Sequence, residues 1–331
     1  MRINSMPSGA PSAGGHLVSA PSVAGNFRVY GLRVRSAIDL GGFPIAAATD
    51  PDLIIRREPL AGPLADDRRY ATHAAVIEGE FRLAVSGVGR FAAIGGSLIR
   101  VDADPDAKAA DILLYLTGAL MGAILHQRGA FPLHASCVAL PGGSGGAAFA
   151  GASGAGKSTL VGALIHNGAQ FVSDDLCVMA PVPNGELRVW PGAARLKLDE
   201  KGLTALADYR ADLAPAGGGR GKFHLPVEPS FHQTSPAPLH RVYILTDGAG
   251  PPRVERLTGI EAISALVDQT YLLATARDMG LTSQVFRLAA AVAQAVTVSR
   301  LIRPRGLAHL PGMVALIAED ARHPEAWLHQ V

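Results

Sequence analysis

The sequence predicts an α/β protein: a strand–loop–helix core preceded by a small, mostly β domain. Three observations predict it. The stretch Gly151-Ala152-Ser153-Gly154-Ala155-Gly156-Lys157-Ser158-Thr159 is a complete G-x-x-x-x-G-K-[ST] pattern. It stands between an apolar run, Ala147-Ala148-Phe149-Ala150, and a helically spaced run, Leu160, Leu164 and Ile165. Upstream, from Phe27 to Val101, short alternating runs end at Gly or Pro, as antiparallel strands do.

Composition fits a packed chain. Of 331 residues 48% are hydrophobic and 18% charged, and the formal net charge is +2. That balance points away from nucleic acid as a partner. Cys137 and Cys177 give neither a disulfide framework nor metal-ligand spacing and read as small buried hydrophobes of a reducing, cytoplasmic compartment. No export signal is visible. The apolar segment 109–125 carries Asp111 and is short for a membrane span, so it is read as a core helix and no membrane is expected.

In chain order, residues 1–26, rich in Ser, Pro, Gly and Ala, are expected to be a disordered lead. Residues 27–103 form the small β domain, with strands at Phe27-Arg28-Val29-Tyr30, Leu32-Arg33-Val34-Arg35 and Phe81-Arg82-Leu83-Ala84-Val85. The core domain, 104–331, opens with Asp104-Pro105-Asp106 capping a helix to about His126, striped by Leu113, Leu116, Leu120 and Ile124. One strand is expected over 131–140, then a turn, the strand 147–150, the loop, and a helix stopping at Gly168. A buried strand at Phe171-Val172 meets Asp174-Asp175 and continues through Met179. The Gly/Pro-rich stretch 214–221 is expected to be a mobile loop. A strand at 241–245 and helices at 260–270, 285–296 and from Pro311 complete the chain.

The loop pattern carries its own chemistry. Its glycines let successive N–H groups point at phosphate oxygens, at a helix start whose dipole favours anions. Lys157 reaches the terminal phosphates and Ser158 offers a hydroxyl to Mg²⁺. A nucleotide-binding core of this kind needs a carboxylate for the metal and a group that handles the nucleophile's proton. Asp174 and Asp175, seventeen and eighteen residues after Lys157, sit where a helix and a return strand bring them back to the loop. His134 lies on the preceding strand in apolar company, either a core histidine or a member of the site.

Leu133-His134-Ala135-Ser136, the loop, and Gly168-Ala169-Gln170-Phe171-Val172-Ser173-Asp174-Asp175 together resemble the HPr kinase/phosphorylase C-terminal domain. With Val85-Ser86-Gly87-Val88-Gly89-Arg90-Phe91 and Gln127-Arg128-Gly129, the chain is similar in particular to the HPr-kinase-like peptide serine kinases of lasso-peptide biosynthesis. The resemblance implies a P-loop core of HPr-kinase/carboxykinase type, ATP and Mg²⁺ as cofactors, and transfer of the terminal phosphate to a Ser of a precursor peptide. It also implies Asp175 as proton acceptor, Asp174 and Ser158 at the metal, His134 as an auxiliary catalytic residue, and a homo-oligomer. Which aspartate is base and which is metal-side stays open. Arg195 either neutralises the transferring phosphate or is a solvated strand-end charge. Lys222 either swings onto a phosphate or is a surface residue, and Trp190 either stacks on adenine or belongs to the core. The chain lacks the Arg-Pro-Gly-Arg-Asn run of the bifunctional enzymes (Arg303-Pro304-Arg305-Gly306 is the nearest text), which implies a one-way kinase, and its N-terminal part does not read like their longer α/β N-terminal domain, which implies a substrate other than HPr. A small-molecule or carboxykinase-like phosphotransferase, and a nucleotide-binding regulatory module with weak ATPase activity, are the alternatives.

Overall fold

The computed structural model describes residues 24–60, 72–181, 186–206, 213–219 and 221–322. Seven strands come first: β1 (Gly25–Val29), β2 (Leu32–Ser36), β3 (Leu53–Arg57), β4 (Thr72–Ile77), β5 (Glu80–Val85), β6 (Gly89–Ile94) and β7 (Leu98–Ala103). They form one sheet in the order β1-β2-β3-β7-β6-β5-β4, antiparallel except where β3 runs parallel to β2 and β7. Alternation decides which face is buried: Phe81, Leu83 and Val85 of β5 point inward, and the residues between them are half-exposed. Most of the expected disordered lead, 1–23, lies outside the described residues, but its last residues do not belong to it. Gly25 and Asn26 pair with Ser36 and Arg35 in β1.

Next comes a single long helical stretch: α1 (Ala109–Tyr115), a π turn (Leu116–Leu120) and α2 (Met121–Gln127). It starts later than the sequence suggests. Asp104–Asp106 form a turn, with Ala107 N–H donating to the Asp104 carbonyl, and no side chain caps α1 at Lys108. By length and composition residues 109–127 are apolar enough to cross a membrane. In the fold, however, Leu116, Leu120 and Ile124 are buried in the core under the seven-stranded sheet. That helix therefore shares one hydrophobic core with the N-terminal sheet.

The core domain adds β8 (Phe131–Leu133), β9 (Ala135–Ala139), β10 (Gly146–Ala150), α3 (Lys157–His166), β11 (Gln170–Ser173), β12 (Cys177–Pro181), β13 (Leu187–Val189), β14 (Arg195–Asp199), α4 (Glu200–Ala205) and β15 (Lys222–Pro226). It ends with β16 (Ala237–Asp247), β17 (Arg253–Leu257), α5 (Gly259–Asp268), α6 (Leu273–Asp278), α7 (Thr282–Ala295), β18 (Thr297–Arg303) and α8 (Leu310–Ala321). The eleven-residue β16 is the hub, parallel to β10 and β18 and, at its start, antiparallel to β13. Parallel strands buried on both faces read as continuous apolar runs, and β10, Gly-Ala-Ala-Phe-Ala, is buried throughout. Apolar layers lie on both sides. One contains Leu160, Leu164 and Ile317 of α3 and α8, the other Leu266, Val285 and Val292 of α5 and α7.

Two expected continuous strands are broken, at matching places. The run 131–140 divides at His134 into β8 and β9, and the run 171–179 divides at Asp174-Asp175 into β11 and β12. β9 pairs with β11 and β10, whereas β8 pairs with β12. Both chain passes thus cross from one half of the sheet to the other at one seam.

Candidate active site at the phosphate loop

β10 delivers the chain into the loop and α3 takes it away. Gly156 occupies the N-cap of α3 at φ +85°, a left-handed conformation that glycine adopts without steric cost. Lys157 is the first helical residue and is buried, its Nζ donating to the Gly151 carbonyl at 2.8 Å and the Ala152 carbonyl at 3.1 Å. Burial pulls its ammonium pKa down, against the raising influence of the Asp175 and Asp174 charges. The lysine is thus held folded over its own loop, close to both carboxylates.

The seam brings the remaining expected residues to the same place. Asp174 accepts from Ser136 Oγ at 2.5 Å, Ser158 Oγ at 2.8 Å and the Lys197 backbone N–H at 2.8 Å. Burial, and then the neighbouring Asp175 charge, raise its pKa in spite of these three donors. Asp175 adopts φ +68°, which a short polar side chain tolerates, where the chain turns from β11 toward β12. His134 Nε2 lies 3.2 Å from Asp175 Oδ1, and Lys197 Nζ lies 3.5 Å from Oδ2. Burial alone would raise the Asp175 pKa. The hydrogen bond from His134 and the Lys197 charge outweigh it and hold the carboxyl well below the usual range. Its side chain still keeps 42% of its surface open to the cleft.

Two clefts meet at Asp175. The first, over the phosphate loop, is lined by His134, Ser153, Gly154, Gly156, Lys157, Ser158, Thr159, Lys197 and Lys222. The second is lined by Tyr30, Phe43, Thr117, Arg195, His224 and Tyr271, and Asp175 and Lys197 border both. Thr117 and Gly118 of the π turn, a helical irregularity common at functional sites, form part of its wall. Tyr271 packs edge-on against His134, with ring centroids 5.9 Å apart, and lies on the helix at Gly122. A Cβ at Gly122 would come within 2.7 Å of the Tyr271 ring, so glycine is needed there.

The structure gathers Lys157, Ser158, Asp174, Asp175 and His134 as the motifs suggest. Arg195 lies in the second cleft and is absent from the lining of the phosphate-loop cleft. Lys222 lines the phosphate-loop cleft. Trp190 is away from both clefts, packed against the Tyr30-Gly31 turn. The loop before Lys222, expected to be mobile, is tethered where it is described: Gly218 N–H donates to Asp111 Oδ1 at 2.7 Å, and Ala216 is buried.

Three contributors are not singled out by the motifs. Lys197 shares a face with Arg195, two residues earlier, while Leu196 and Leu198 point into the core. That alternation was a usable signal. Ser136, two residues from His134, could have been found the same way. Arg303, at the end of β18, donates to Asp247 Oδ1 at 2.6 Å and to the Ala155 carbonyl, bracing the phosphate loop from outside. Nothing local marks it, because its partners are distant in sequence.

Asp174 and Ser158 offer one carboxylate and one hydroxyl, and among the described residues no cluster of three or more His, Cys, Asp or Glu side chains forms a metal cage. This donor set fits Mg²⁺, which takes one or two protein ligands and completes its shell with phosphate oxygens and water.

No protein-family model matches this chain, and no curated protein matches it. Among solved structures it is similar to the Hpr(Ser) kinase/phosphatase of Coxiella burnetii, at TM-score 0.34 and 16% identity, over 59% of this chain and 99% of that one.

Proposed function

We propose that this protein is an ATP-dependent phosphotransferase that delivers the terminal phosphate to a hydroxyl acceptor, a serine of a precursor peptide. The observation that carries the reading is the position of Asp175, a hydrogen-bonded carboxylate where the phosphate-loop cleft meets a second, aromatic-walled cleft. A nucleotide-binding module without chemistry has no use for a carboxylate there.

In this reading the serine oxygen enters from the second cleft and attacks the terminal phosphorus. The new O–P bond forms as the bond to the β-phosphate oxygen breaks, the serine proton passes to Asp175, and ADP leaves. His134 donates to Asp175 and keeps it anionic and aimed. Lys157, Lys197 and Lys222 surround the place where charge builds up, which is most of what phosphoryl transfer asks of a protein. Ser158 and Asp174 would hold Mg²⁺, which neutralises phosphate charge when bound.

The test is incubation of the full chain with γ-labelled ATP and Mg²⁺ against serine peptides, small hydroxylated metabolites, and water alone. Label on peptide is the expected result. Label only on metabolites would replace the peptide by a small-molecule acceptor. Release of free phosphate alone would make the protein an ATPase module.

A further inference from the structure

Arg195 is the first residue of β14, and its guanidinium lines the second cleft with Tyr30, Phe43 and Tyr271. Its one hydrogen bond to protein among the described residues runs from Nη1 to the Gly41 carbonyl at 3.1 Å, and no described carboxylate pairs with it. The other basic groups of that cleft are accounted for. Lys197 is engaged with Asp175, and His224 is held neutral by burial and by the Arg195 and Lys197 charges, its pKa lowered to about 4. Asp174 and Asp175 are occupied by their own donors. One half-buried guanidinium, held by a backbone carbonyl, therefore sits in the acceptor cleft with no described carboxylate paired to it. A planar fork of donors in that state is suited to a carboxylate, which it binds in bidentate fashion.

We infer that the acceptor carries a carboxylate close to the hydroxyl that receives phosphate, and that Arg195 binds it and thereby sets acceptor specificity. This rests on the phosphotransferase reading but assigns Arg195 to the acceptor rather than to the transferring phosphate. The apolar wall of Tyr30, Phe43 and Leu114 leaves the guanidinium as the group that recognises charge, and Asp175 lines the same cleft to take the proton. The carboxylate has two possible sources in a peptide, the chain terminus or an acidic side chain next to the serine.

The experiment compares matched acceptors on the full chain: a peptide ending in serine as free acid or as amide, a peptide with internal Ser followed by Glu or by Gln, and serine against serinamide. The wild type is expected to favour the acid of at least one pair by tenfold or more in kcat/KM, mainly through KM, and the favoured pair names the source. Arg195→Gln should erase that preference while leaving the KM for ATP unchanged, and Arg195→Lys should restore part of it. Equal use of acid and neutral acceptors by the wild type overturns the inference. So does an Arg195→Gln variant that loses kcat equally on every acceptor, which would return Arg195 to the transferring phosphate. If no acceptor is phosphorylated, equilibrium titration of the same peptides decides. Acid-selective binding lost in Arg195→Gln sustains the inference while the transfer reading falls, and no acid-selective binding overturns it.

Discussion

His134 Nε2 and Asp175 Oδ1 lie 3.2 Å apart across the seam where two strands break at the same level. With Lys197 on its other oxygen, Asp175 is held as an anion at the boundary between two clefts. Asp175→Asn is therefore expected to leave ATP affinity nearly unchanged and to lower transfer by about two to four orders of magnitude. His134→Ala should cost about tenfold, because the carboxylate remains but loses its aim. Single-turnover transfer alongside nucleotide titration measures both. A weakened ATP affinity equal to the rate loss would refute the assignment.

Asp174 lines the second cleft and accepts from Ser136 Oγ, Ser158 Oγ and the Lys197 backbone N–H, with Ser158 linking it to the phosphate loop. Asp174→Asn should raise the Mg²⁺ concentration needed for half-maximal rate, with much of the rate recovered at high Mg²⁺. If added Mg²⁺ rescues Asp175→Asn instead, the two aspartates have exchanged roles.

Lys157 is bonded to loop carbonyls and lines the phosphate-loop cleft. Lys157→Ala should weaken binding of the triphosphate roughly a hundredfold and of adenosine hardly at all, as expected for a charge that contacts only phosphates. Calorimetric titration of both ligands is the check, and parallel losses would sink the assignment.

Arg303 ties the Ala155 carbonyl to Asp247 beneath the loop and is itself buried. Arg303→Met should destabilise the fold by about 2 kcal/mol, because it removes the ion pair of a buried guanidinium and leaves the half-buried Ala155 carbonyl without its donor. It should also raise the KM for ATP about tenfold through a looser loop. A stability loss with an unchanged KM would mean the brace is structural only.

Asp52 accepts from the Arg33 side chain at 2.9 and 3.0 Å and from its backbone N–H at 2.9 Å. Those bonds lower its pKa from 3.8 to about 2. A carboxylate with a depressed folded-state pKa contributes stability that is complete above the unfolded value, near 4, and is lost as pH falls through about 2. Since Arg33 is partly exposed, the contribution is about 1 kcal/mol. Asp52→Asn should cost that much at pH 7 and flatten the decline of unfolding free energy between pH 4 and pH 2. An unaltered decline would show that other carboxylates govern it.

The phosphate loop, its flanking strand and helix, and the alternating N-terminal strands were legible because their signals are local: fixed spacing, period two, period 3.6. The breaks at His134 and Asp174-Asp175 were not. The strand-like runs 131–140 and 171–179 resume beyond His134 and beyond Asp174-Asp175, so each reads as one strand, and only the pairing of β8 with β12 and β9 with β11 divides them. The start of α1 was misplaced because Asp104 and Asp106 resemble caps, whereas the chain uses them in a turn. Lys197 and Ser136 could be read from their alternation with Arg195 and His134, whereas Arg303 depends on long-range contacts with Asp247 and Ala155, which no window of sequence contains.

The broken strands have a consequence for how such a protein can change. On one side of the seam lie β9, β10, β11 and α3, which carry the phosphate cradle. On the other lie β8, β12 and the N-terminal sheet with its helix, which supply Tyr30, Phe43 and Thr117 to the acceptor wall. His134 and the aspartate pair are the hinges between these two pieces of chain. If the proposed phosphotransferase reading holds, the wall can be recut for a new acceptor without altering the strands and helix that carry the phosphate loop, and a lineage can shift its substrate while its phosphate chemistry stays fixed.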